Sequence, residues 1–92
     1  MTTKKEADPE LERLLREERE LLSGHSVPPD IKQLYLDVKR GGDEARRQLM
    51  ALAFNNETGK PKSAIGPTTV REHFAEQACA LLYQFEQLNS RL

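Results

Sequence analysis

The sequence predicts an all-α protein, a small bundle of three to four helices with a long C-terminal helix. Three observations predict it. Apolar residues recur three, four and seven positions apart in four separate stretches, which lines one face of a helix. Residues that start and stop helices fall between those stretches. No stretch alternates apolar with polar residues, and no hairpin turn signal occurs.

Residues 1–7 are polar and are expected to be a disordered tail. Residues 8–92 are expected to form a single domain, with a charged helix over 8–22 and a core bundle over 30–92. Asp8 before Pro9 is a good helix start, an acidic cap followed by the residue suited to the first helical position. Behind it Leu11, Leu14, Leu15, Leu21 and Leu22 make a narrow stripe, which Glu18 interrupts where another leucine belongs. The stripe is too short for a free-standing coiled coil. It must dock on the rest of the domain or on a second copy, so these five leucines are the expected self-association surface of a homodimer.

Ser23-Gly24 closes this helix, and His25-Ser26-Val27-Pro28-Pro29 gives a stiff connection. The second helix is expected from about Asp30 to Arg40, with Asp30 and Gln33 as a variant capping box and Ile31, Leu34, Tyr35 and Val38 on one face. Gly41-Gly42 ends it. The third runs from about Asp43 to Phe54, with Ala45, Leu49, Leu52 and Ala53 inward and Arg46, Arg47 and Gln48 outward. A polar loop follows over Asn55–Pro67, long enough to be either functional or disordered. Thr69 and Glu72 then make a capping box. Val70, Phe74, Ala78, Leu81, Leu82, Phe85, Leu88 and Leu92 carry the apolar rhythm of the long last helix, while Ala75, Ala78, Cys79 and Ala80 leave room for a neighbour.

Ninety-two residues make one domain, and 37% hydrophobic against 32% charged residues is lean. Part of the chain is therefore solvated, or a partner completes its core. The single cysteine forms no intrachain disulfide. No apolar run reaches the roughly 18 residues of a membrane span, and no secretory leader pattern opens the chain, so a cytoplasmic location is expected. The formal charge of −1 hides an uneven layout. Residues 1–30 hold five Lys/Arg against eight Asp/Glu, residues 31–71 hold eight against four, and residues 72–92 hold one against three.

That layout supplies the only functional lead. Lys39, Arg40, Arg46, Arg47, Lys60, Lys62 and Arg71 form an expected basic patch that would steer an acidic surface. The leading expectation is a small non-enzymatic accessory or regulatory protein, an inhibitor or adaptor acting through a protein partner. The alternative is a DNA-binding protein that uses the same patch on phosphates. A true helix-turn-helix fails, because placing either Gly41 or Gly42 at the turn puts charged side chains at buried positions. Lys60 and Lys62 beside the amides of Thr69–Arg71 form a softer anion site. A phosphate-cradling loop around Gly59-Lys60 fails, with Phe54 in place of the first glycine and Pro61 in place of the hydroxyl residue. His25, His73 and Cys79 lack metal-ligand spacing, and no serine or cysteine has a neighbouring base. No enzyme activity, metal or cofactor is expected.

Overall fold

The computed structural model describes residues 8–90. The predicted tail over 1–7 and the last predicted core position, Leu92, lie outside them. Among the described residues there are four helices, α1 (Pro9–Ser23), α2 (Pro29–Lys39), α3 (Asp43–Ala53) and α4 (Val70–Ser90), with one 3₁₀ turn over Lys62–Ala64. At 21 residues α4 is about 31 Å long. It is the spine on which α1, α2 and α3 all pack, and α2 also packs on α3.

Local chemistry sets most boundaries. The Asp8 carboxylate accepts the Glu10 amide at 2.9 Å, and Pro9 sits in the first turn, where its missing N–H costs nothing. Gly41 at φ 95 makes the reversal between α2 and α3 that a side chain would strain, and the Gly42 amide donates back to the Asp37 carbonyl at 2.9 Å. At α4 the Thr69 hydroxyl accepts the Glu72 amide at 3.1 Å, while the Glu72 carboxylate accepts the Thr69 amide at 2.9 Å. This is the expected capping box.

The start of α2 departs from expectation. It opens one residue early at Pro29, Pro28 occupies the cap position without a side-chain bond, and Asp30 and Gln33 form no capping box. The proline pair presets the backbone, which places Asp30 inside the first turn where it cannot cap. Gln33 instead donates to Asp37, and Asp30 pairs with Arg71. Val70, expected in the core, is 60% exposed at the first position of α4.

The core holds Leu14 and Leu21 from α1, Ile31, Tyr35 and Val38 from α2, and Ala45, Leu49 and Ala53 from α3. Ala75, Ala78, Leu81, Leu82 and Leu88 come from α4, and Val27 from the first connection. The leucine stripe is therefore turned inward onto this chain. Leu14 is fully buried and Leu21 nearly so, Leu11 and Leu22 are partly buried, and only Leu15 stands largely free at 42% exposure. Of the five residues expected at a homodimer seam, Leu14 and Leu21 pack in the domain's own interior, and Leu15 offers the most surface to a second copy.

The capping box gives a first prediction. Thr69→Ala removes the hydroxyl acceptor and is expected to cost about 1 kcal/mol in urea unfolding. The Glu72 carboxyl is held below its ordinary 4.5, first by the Thr69 amide and then by Lys62. A depressed carboxyl adds stability above its unfolded value, and that stability is lost as pH falls through the lower folded value. Thr69→Ala leaves the amide bond in place, so a Glu72 side-chain NMR titration is expected to stay low in that variant.

Candidate functional site

Two surfaces compete for a functional role, the basic patch and an apolar groove. Six of the seven patch residues already face carboxylates. Lys39 pairs with Glu18 at 2.7 Å, Arg46 with Glu86 at 2.6 Å, Lys62 with Glu72 at 3.2 Å, and Arg71 with Asp30. Arg40 meets Asp37 at 3.5 Å, and Arg47 meets Glu44 at 2.7 Å. Among the described residues Lys60 bonds through its backbone only.

The first four pairs join the basic middle of the chain to its acidic flanks. The uneven charge layout is thus spent within the molecule. The surface pairs contribute little stability each, but each sets a carboxylate beside a cation that a polyanion would otherwise meet alone. The patch is also not continuous. Lys39 lies over the Phe85 ring at 4.3 Å beside α1, whereas Arg71 lies at the start of α4. At the softer anion site, Glu72 already accepts from the Thr69 amide and from Lys62.

The groove lies between α3 and α4 and encloses about 380 Å³. Leu49, Leu82 and Cys79 line it, Met50 and Tyr83 stand along it, and Ala80 keeps it open between them. Met50 is 47% and Tyr83 61% exposed, so two large apolar side chains face solvent across one trough. The helices run in opposite directions along it. Arg46 near the start of α3 meets Glu86 near the end of α4, while Pro61, beyond the end of α3, lines the groove together with Glu76. The ten-residue step from Glu76 to Glu86 makes the trough about 15 Å long. Its charged side chains are already engaged: Glu76 accepts from Ser63, and Arg46 and Glu86 hold each other.

Burial pushes the Cys79 thiol up to about 11, with Glu76 adding to the shift and Arg46 opposing it. At neutral pH the thiol is therefore almost entirely protonated, which makes it a slow nucleophile rather than an activated one. His73 packs edge-on against Phe74 with ring centroids 5.0 Å apart and contacts Gln77. Among the described residues no group of three or more His, Cys, Asp or Glu side chains is placed to hold a metal. None of their helices is long and apolar enough to cross a membrane.

Sequence reasoning missed Met50 and Tyr83, because neither sits on the main apolar stripe of its helix. The signal was the small residues of α4. Ala75 and Ala78 are used up against the other helices, but Cys79 and Ala80 face the groove. No family model, curated protein or solved structure matches the chain.

Proposed function

We propose that the chain is a non-enzymatic accessory or regulatory protein that binds an amphipathic helix of a protein partner in the α3–α4 groove. The exposed apolar pair Met50 and Tyr83 across an open trough carries this reading. A third helix laid between two antiparallel ones completes ordinary ridge-into-groove packing, and about 15 Å matches roughly three helical turns. The lean core noted in the sequence accords with apolar contact completed from outside. A cytoplasmic setting fits the single unpaired thiol. The DNA-binding alternative finds less support, since most of its cations have internal partners.

Capture from native lysate on immobilised protein tests the proposal when wild type is compared with Met50→Asp and Tyr83→Asp. An exposed aromatic or thioether anchor is commonly worth a tenfold change in affinity, so each variant is expected to retain about a tenth or less of the specifically bound protein. A partner held equally by all three would place the contact elsewhere. Capture abolished by nuclease and by raised salt would favour nucleic acid instead.

A further inference from the structure

Residues 55–67, which read in sequence as an open polar loop, are fastened to α4 by two carboxylates one turn apart. Glu76 accepts the Ser63 amide at 2.9 Å and the Ser63 hydroxyl at 2.6 Å. Glu72 accepts Lys62 Nζ at 3.2 Å. The first half of the segment braces itself. Asn55 Oδ1 accepts the amides of Glu57 and Thr58 at 2.8 and 3.1 Å, and the Asn55 amide donates to the Lys60 carbonyl at 2.9 Å. A single antiparallel bridge joins Phe54 to Pro61.

Burial does not hold the segment. None of its residues is in the core, and Ile65, its one large apolar side chain, is 54% exposed. Its seating on α4 therefore rests on the Ser63–Glu76 and Lys62–Glu72 contacts. The clasp reaches the groove through Glu76, which lines it, and through Pro61, which lines it and directly precedes Lys62.

We infer that residues 55–67 form a strap whose clasp, Ser63 on Glu76 seconded by Lys62 on Glu72, keeps one end of the α3–α4 groove narrow and whose release admits bulkier occupants. A clasp of exposed hydrogen bonds competes with water, so it opens without unfolding the helices beneath it. The inference takes its purpose from the groove as contact surface. Its test needs no partner, so a strap that does not gate and a groove that binds nothing give separate results.

Cys79 is the only cysteine and lines the groove, which makes its labelling rate a reporter. Rates are measured with a small neutral thiol reagent and a bulky aromatic one on wild type, Glu76→Ala and Ser63→Ala. Removing the Glu76 charge also alters thiol ionisation, which the bulky-to-small ratio largely cancels; because Glu76 itself lines the groove, a rise counts as opening only when Ser63→Ala, which leaves the lining intact, shows it too. Loss of bonds to a charged acceptor is expected to raise the ratio about tenfold in Glu76→Ala. A smaller rise is expected in Ser63→Ala, which keeps the amide bond and the carboxylate. An unchanged ratio in both variants overturns the strap. If Glu76→Ala unfolds, Ser63→Ala at its exposed position decides the matter, with a ratio equal to wild type counting as refutation.

Discussion

Leu14→Ala is expected to lower the free energy of unfolding by about 3 kcal/mol in urea titration, the usual cost of emptying a fully enclosed leucine site. The effect is large for two reasons. Leu14 has no exposed surface, so water cannot occupy the vacated volume without meeting apolar walls. Moreover, α1 is anchored by few side chains, with only Leu14 and Leu21 buried. Leu15→Ala, one position along the same stripe but 42% exposed, is expected to cost well under half as much. The comparison also tests where the stripe goes. If the leucines packed within one chain, the unfolding midpoint would be independent of protein concentration; a dimer seam would make it rise with concentration. A concentration-dependent midpoint abolished by Leu14→Ala would establish the dimer seam and displace α1 from its place on α4.

What the sequence made legible was local. The Asp8-Pro9 start of α1 and the Thr69–Glu72 box of α4 are contacts between residues two or three apart, and both form. The inward face of α3 follows from spacing alone, with Ala45, Leu49 and Ala53 all buried. Position-by-position reading failed where partners come from different elements. Arg46 finds Glu86 forty residues away, and Lys39 finds Glu18 twenty-one residues away. Counting charge by segment separates acids from the bases they meet once folded. A basic middle between acidic flanks was therefore a sign of internal pairing as much as of an acidic partner. The groove was hidden for a related reason: periodicity finds the stripe a helix buries, whereas Met50 and Tyr83 stand beside those stripes. The strap was hidden because Ser63 and Glu76 meet only after the chain has turned back on α4.

Glu18→Leu would complete the leucine repeat of α1, yet it is expected to destabilise the protein by about 2 kcal/mol in urea unfolding at neutral pH. Glu18 interrupts the stripe because two α2 groups converge on it. The Tyr35 hydroxyl donates to its carboxylate at 3.1 Å, and Lys39 Nζ at 2.7 Å. Its side chain is only 15% exposed, and Tyr35 is fully buried. A leucine there would leave a buried hydroxyl without an acceptor and a half-covered ammonium without a counter-charge, a loss larger than the gain from one more buried methyl pair. Glu18→Leu combined with Tyr35→Phe is expected to recover part of the loss, since the orphaned hydroxyl goes with it. The pH dependence follows from the same contact. Burial first, then the Glu18 charge and its hydrogen bond, hold the Tyr35 phenol well above its ordinary 10.0. A raised acid stabilises the folded chain fully below the unfolded value, and that stability is lost as pH climbs through 10 towards the folded value. Helical circular dichroism followed into base is expected to show unfolding that begins above pH 10 in wild type and is blunted in Tyr35→Phe. A Glu18→Leu protein as stable as wild type would mean that position 18 belongs to the leucine stripe after all, and that Tyr35 and Lys39 draw nothing from the carboxylate between them.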